Sequence, residues 1–375
     1  YSLRYWRILI GPWLGYFIQI LFDRWTMLKH AFEKHDISDC RIIKNNDNNF
    51  ISKDMYEFNC LYLDDNWNEL IYSQLLQEYW QDNIILEPVM LNTDQPQKSY
   101  QANGLIKSGL GRLKKSIVGM CMNYKQWFHD SNEYFFLKTY LPPFIEEKLL
   151  FKLGQNPKSW KLASVPMAKV DVKMREWTIH RHDSFDQFST ILSRMISSHI
   201  PVAYLEGFQS LLDCIRNLSW PKRPKCIFTS NAHYIDDVFK AWAADKTEHG
   251  VPLVIGQHGG HLGTGLWSFA EEHEIAISDR YLSWGWSDPD QPKVHPVGQI
   301  KKIGPLGINH AEQSGLLLVT ATLPRYSYYM YSVPVSSQWL DYLEDQFTFI
   351  ENLNPLIHND MLVRLHVNDY GWEQE

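Results

Sequence analysis

Apolar residues recur at helical spacing through residues 67–80, 111–128 and 185–198, so the first 200 residues read as mainly helical with two or three strands. Residues 5–22 are more uniformly apolar, which raises the question of a membrane span. Arg7, Gly11, Pro12, Gly15 and Gln19 interrupt them, whereas a span needs about 20 mostly apolar residues. No small-residue cleavage site marks a signal peptide. The expectation is a buried helix pair broken at Gly11 and Pro12, with an interfacial membrane helix as the alternative. Residues 45–49 and 92–103 are polar loops, and no repeat of solenoid length is present.

From residue 225 the pattern changes to alternating strand and helix. Residues 226–230 form a short apolar run after the breakers at 221–224, residues 234–248 read as a helix, and 252–256 as a second strand. That is a βαβ unit, which implies parallel strands. Another short strand follows at 280–284, then a linker punctuated by Pro and Gly at 289–306. A strand at 315–320, a helix at 336–352 and a strand at 361–366 begin a second unit near residue 312. The expected fold is therefore α/β with two Rossmann-like domains. The first covers 1–311, mainly helical over 1–224 with a βαβ core at 225–300. The second starts at 312–375, and both are incomplete, with the chain stopping one βαβ unit into the second.

Composition narrows the function classes. A length of 375 residues exceeds what one core usually serves, which fits two domains. A formal net charge of −7 with no long basic block excludes a nucleic-acid binder that relies on phosphate neutralisation. A few local cations would still suffice for a small phosphorylated ligand. Aromatic residues reach 14 %, which suits either sugar-binding surfaces or an aromatic-rich core. The cysteines at 40, 60, 121, 214 and 226 are odd in number and widely spaced; they read as reduced, mostly buried thiols of a cytoplasmic protein.

The candidate chemistry centres on the segment from Val254 to Gly265. It follows a buried strand, so the loop lies at the carboxyl end of a parallel sheet, where such sheets bind ligands. Gly256, Gly259, Gly260, Gly263 and Gly265 permit close backbone approach, and His258 and His261 offer a base or donors near neutral pH. Neither standard phosphate-loop spacing is present, and a tight structural turn with two surface histidines is the competing interpretation. Ser230, Asn231 and His233 end the preceding strand, and Asn231 either shares a crevice with His258 or caps the next helix. In Glu271, Glu272, His273 and Glu274, position favours Glu272 as a catalytic base, against a solvated helix face. Arg325, Arg364 and His366, with Asp369 just beyond, fall at successive strand ends where they would meet a donor phosphate.

These segments together resemble a family of bacterial surface-carbohydrate transferases of O-antigen and capsule gene clusters. The resemblance rests on Leu3 to Leu14, on the loop Gln257, His258, Gly259, Gly260, and on Arg364 to Trp372, and it covers essentially the whole chain. More distantly, the chain is similar to capsule Kdo transferases and teichoic-acid glycerophosphotransferases, whose strand-end His is usually followed by Pro where Val367 stands here. The resemblance implies a GT-B arrangement with two domains facing a cleft, and further chain at both ends. It implies a nucleotide-activated sugar donor, a CMP-activated nonulosonate or Kdo, and a lipid-linked or oligosaccharide acceptor. The transfer is expected to need no metal or other cofactor, with basic and histidine side chains stabilising the leaving phosphate. Cytoplasmic location, with peripheral inner-membrane association left open, goes with it. Transfer of glycerol phosphate from CDP-glycerol and a non-catalytic polysaccharide-binding or assembly role are the competing functions.

Overall fold

The computed structural model describes residues 1–43, 50–80, 82, 84–89, 132–179, 186–301, 315–330 and 338–374. The helix expected at 111–128, the loops at 45–49 and 92–103, Cys121 and the expected domain start near 312 lie outside the described residues.

Helix α1 spans Leu3–Leu9 and α2 spans Gly11–Lys34. The break between them falls where Pro12, in the first turn of α2, cannot donate a helical hydrogen bond. Strand β1 (Asp39–Ile43) is followed by α3 (Met55–Leu61), α4 (Asp65–Leu75), a π-turn at Leu76–Trp80 and β2 (Ile85–Val89). Then come β3 (Tyr134–Phe136), α5 (Pro143–Lys152), α6 (Gln187–His199) and α7 (Phe208–Arg216). Helix starts are set by side-chain caps: Ser2, Asp54, Asp64 and Asp186 each accept from a backbone N–H in the first turn of α1, α3, α4 and α6.

The second half supplies β4 (Cys226–Thr229), α8 (Ala232–Ile235), α9 (Asp237–Glu248), β5 (Leu253–Gly256), α10 (Phe269–Ile277), β6 (Arg280–Ser283) and β7 (Val294–Pro296). Asp236 caps α9 and Ser268 caps α10. Strands β3 to β7 form one parallel sheet in sequential order, with Ile227 beside Leu253 and Ile255 beside Tyr281. The fold is α/β with parallel sheets, as the alternation of apolar runs predicts. Two details differ. The sheet takes its first strand from residues 134–136, well before 225, and the stretch read as linker contains β7, whose three residues are too few to show a period. Strand order rises without reversal, so the described part of this sheet has no doubly wound switch point.

The α1–α2 pair is built into the core rather than laid on a membrane. Tyr5, Ile8, Leu9, Trp13, Phe17, Ile20 and Leu21 are buried with α9 and the central strands. The Arg4 guanidinium reaches the Ile277 carbonyl at 2.9 Å and both Asp279 carboxylate oxygens at 3.1 and 2.7 Å, tying α1 to the end of α10. Helices α2 and α10 touch where α2 has no side chains: a Cβ on Gly11 would meet the His273 ring, and one on Gly15 would fall within 3.0 Å of three Phe269 ring carbons. No described helix is long and apolar enough to cross a membrane.

Residues 315–330 and 338–374 carry a further parallel strand pair, β8 (Leu317–Val319) with β9 (Leu362–Arg364), and the helices α11 (Trp339–Glu351) and α12 (Pro355–His358) between them in sequence. The segment 325–330 is strapped onto the preceding part of the chain. Fully buried Arg24 donates to Asn68 Oδ1 and to the Ser327 carbonyl at 2.7 Å. Gln19 Oε1 accepts from the Met330 N–H, and the Tyr328 ring stacks on Tyr62 at 4.9 Å.

Candidate functional site

The carboxyl ends of β4 and β5 open into a pocket of about 540 Å³. Its polar wall comes from Asn231, His258, His261, Thr264, Ser268 and Glu274, and its aromatic wall from Tyr16, Tyr234, Trp267, Tyr328 and Tyr329. The two tyrosines at 328 and 329 belong to the strapped segment, so the pocket is closed by residues more than 50 positions from its loop.

Gln257 shapes that loop. It is 2 % exposed, and its amide nitrogen donates to the Gly259 and Leu262 carbonyls at 2.8 and 2.9 Å. Its amide oxygen accepts from the Trp284 N–H at 2.7 Å and the Trp286 indole at 2.9 Å. Its amide hydrogen-bonding capacity is thus engaged inside the fold, where it holds the loop in shape. Among the glycines of the loop only Gly263 has a positive φ, +79°, and a Cβ there would strike the Trp286 ring. Its N–H is accepted by Glu271. Gly259 lies against the His261 ring, while Gly260 faces open space.

Asn231 stands at the start of α8 without capping it. Thr229 Oγ1 accepts from the Ala232 N–H at 2.9 Å, and the Asn231 amide instead donates to the Tyr140 hydroxyl at 2.6 Å. The same hydroxyl ring lies 6.5 Å from the His258 ring, nearly parallel to it, and 4.4 Å below the Lys301 ammonium. Tyr140 and Lys138 are both left-handed, with φ of +60° and +50°. Non-glycine residues in that region cost on the order of 1–3 kcal/mol each and concentrate at functional sites.

Glu274, two residues beyond Glu272 on α10, is the buried acid of the pocket. Glu272 and Ala276, four apart, form the exposed face, while Glu274, Ile277 and Ser278 turn inward. Helical period therefore places Glu272 in solvent, outside the pocket lining, and makes Glu274 the carboxylate that geometry favours. Glu274 Oε1 lies 3.2 Å from His233 Nε2, a hydrogen bond, and 3.4 Å from His258 Nδ1, close enough for an ion pair though not aligned for a hydrogen bond. The Tyr281 hydroxyl is near enough to favour the ionised carboxyl, again without hydrogen-bond alignment.

Burial dominates the electrostatics. With its side chain 3 % exposed, Glu274 has its pKa pushed up to about 7 by desolvation, against the opposing pull of His258. His233 falls to about 3, first by burial and then through the Lys240 charge, and is a neutral imidazole. His258 is lowered by burial and raised by Glu274. Its side chain is 27 % exposed and its Nδ1 edge is the buried one, so the ring presents its other edge to the pocket. A histidine backed by a buried carboxylate that titrates near neutrality is an arrangement able to accept and return a proton.

The second cluster expected from the sequence does not assemble at this pocket. Arg325 is engaged by both oxygens of Asp65, at 2.6 and 2.8 Å, which neutralises the charge expected to meet a phosphate. Arg364 and His366 are exposed. His366 Nδ1 accepts from the Asn368 N–H at 3.1 Å, and Asp369 accepts from the N–H groups of Glu373 and Gln374 in the turn that follows. None of the four lines the pocket. Tyr140, Lys301 and the ring of tyrosines carry no local motif and are gathered only by the fold. The four described cysteines are half-buried thiols without disulfides.

Among the described residues no group of three His, Cys, Asp or Glu side chains is arranged to hold a metal ion. The one Asp-x-Asp triplet in the chain, Asp288-Pro289-Asp290, is an exposed turn in which Asp288 accepts from the Asp290 N–H at 2.9 Å. A family model described as LIC12162 family transferase matches residues 1–375. No curated protein and no solved structure matches the chain.

Proposed function

Because the chain belongs to the LIC12162 family of transferases, we propose that it transfers a sugar from a nucleotide-activated donor to a hydroxyl of a bacterial surface polysaccharide. The observation that supports this most is the Glu274–His258 pair at one side of a pocket walled by five aromatic rings. Aromatic faces with polar edges suit sugar rings, and a buried carboxylate with a shifted pKa suits catalysis better than passive binding. His258 takes the proton of the acceptor hydroxyl on its exposed edge. Glu274 balances the imidazolium from the Nδ1 side. The freed oxygen forms a bond to the anomeric carbon as the bond from that carbon to the donor phosphate breaks, and the phosphate leaves with its electron pair.

On this reading Asn231 and His261 contact substrate, while Gln257, Gly259 and Gly260 shape the loop that carries His258. Residues 315–330 and 338–374 belong to a nucleotide-binding domain of GT-B type, with Arg364, His366 and Asp369 available to the donor there. The donor is a CMP-activated nonulosonate or Kdo. The acceptor is a lipid-linked or oligosaccharide chain at the cytoplasmic face of the inner membrane.

His258→Ala is expected to lower kcat by about 10²–10⁴ without loss of the fold. Glu274→Gln, acting through His258, should move the pH profile of the remaining activity. Turnover is measured with CMP-sugars beside CDP-glycerol. Activity with CDP-glycerol alone would overturn glycosyl transfer, and full activity in His258→Ala would remove the base from this pocket.

A further inference from the structure

We propose that the corner formed by Tyr140, Asn231, His258 and Lys301 binds an anionic oxygen group of the substrate, a phosphate or a carboxylate. This rests on the reading of the pocket as a transfer site. The Tyr140 hydroxyl accepts from the Asn231 amide at 2.6 Å, so its own hydrogen is left to donate outward. Lys301 lies 4.4 Å above the same ring, with no ion pair among the described residues. His258 lies parallel to that ring, and His261 approaches from the glycine loop.

The neighbouring carboxylates are committed elsewhere. Asp236 pairs with Lys138 at 3.3 Å and caps α9, Glu146 holds the Thr139 hydroxyl, and Glu274 backs the other edge of His258. With the Lys301 ammonium unpaired among the described residues, the Tyr140 hydrogen directed outward and the nearby carboxylates engaged, the corner suits an anion, and ammonium and phenol donors to an anion form the stronger, charge-assisted kind of hydrogen bond. The backbone is bent to build it. Lys138 and Tyr140 are held left-handed where β3 ends, and Ser230 fixes them by bonding the Lys138 and Thr139 carbonyls at 3.0 and 2.8 Å. That places the Tyr140 ring against both Lys301 and His258. The anion site and the proton-accepting pair then share His258, with the leaving group on one side and Glu274 on the other.

The test is calorimetric titration of the protein with pyrophosphate, CMP and gluconate, in wild type, Lys301→Met, Lys301→Arg and Tyr140→Phe. Wild type should bind, Lys301→Met should weaken binding about 10- to 100-fold, and Lys301→Arg should restore most of it. Binding of pyrophosphate and CMP assigns the corner to a donor phosphate, and binding of gluconate alone assigns it to a sugar carboxylate. Equal affinity in wild type and Lys301→Met, or no binding of any of the three, overturns the inference. If His258→Ala abolishes turnover while Lys301→Met binds as wild type does, only this inference fails. If binding depends on Lys301 while turnover survives His258→Ala, the reading of His258 as the base of this pocket fails and the anion corner stands.

Discussion

Substituting Gly15 by Ala separates two effects of opposite sign. Gly15 lies inside α2, where replacing Gly with Ala ordinarily stabilises a helix by about 1 kcal/mol. Here the new methyl would lie within 3.0 Å of Phe269 Cζ, Cε1 and Cε2, whereas packed carbons sit about 3.5–4.0 Å apart. The ring cannot swing aside freely, since Tyr16 meets it edge-on at 5.7 Å and His273 stacks on it at 5.6 Å. Overpacking of this kind costs about 1–3 kcal/mol, so the clash outweighs the propensity gain, and Gly15→Ala is expected to destabilise by up to about 2 kcal/mol. The larger effect is on function. Phe269 opens α10, and displacing that helix moves Glu274; a shift of about 1 Å at a catalytic constellation can lower the rate about 100-fold. Urea unfolding followed by tryptophan fluorescence, beside donor turnover, measures both. In a Phe269→Ala background the sign should reverse, with Gly15→Ala now stabilising by about 1 kcal/mol, and the double-mutant cycle isolates the coupling. A Gly15→Ala protein that is more stable than wild type and turns over normally would refute the idea that the glycines of α2 set the position of α10.

Stability should fall between pH 7 and pH 5. His199, His233 and His273 are buried with pKa values near 3, while their unfolded rings take up protons below about pH 6.5, so each costs about 2 kcal/mol by pH 5. Glu274 acts in the opposite direction, because its folded carboxyl is protonated below about pH 7 and its unfolded one only below about 4.5; it offsets about 2 kcal/mol of the loss. Urea midpoints that stay level or rise as the pH is lowered would contradict the buried, neutral state of these histidines. Gln257→Leu should strand the Trp284 N–H, the Trp286 indole and two loop carbonyls, at about 1–3 kcal/mol for each group left unpaired; hydrogen exchange at residues 257–265 should rise, and unchanged protection would assign the loop's order to other contacts.

Short-range features of this chain were legible from the amino-acid sequence because they depend on neighbours a few residues apart. Apolar runs marked β4, β5, β6, β8 and β9, Gly11 and Pro12 marked the break between α1 and α2, and the glycine-rich loop after β5 marked the edge of the pocket. The choice between Glu272 and Glu274 was also in principle local, since helical period decides it, but it required knowing which face of α10 meets the core. That face is set by Gly11 and Gly15, more than 250 residues away. Partners of charged side chains lay beyond sequence reasoning altogether. Arg325 follows a strand end and reads as a phosphate ligand, yet a carboxylate on α4 reaches it first, because the strapped segment 325–330 is drawn down onto Arg24, Gln19 and Tyr62. The same long-range packing brings Tyr328 and Tyr329 to the pocket, sets Tyr140 beneath Lys301, and buries Glu274 between His233 and His258. Local sequence determines which segments are helix, strand and loop; desolvation and the pairing of charges are properties of the assembled core, and those decided which acid lines the pocket and that Arg325 stays out of it.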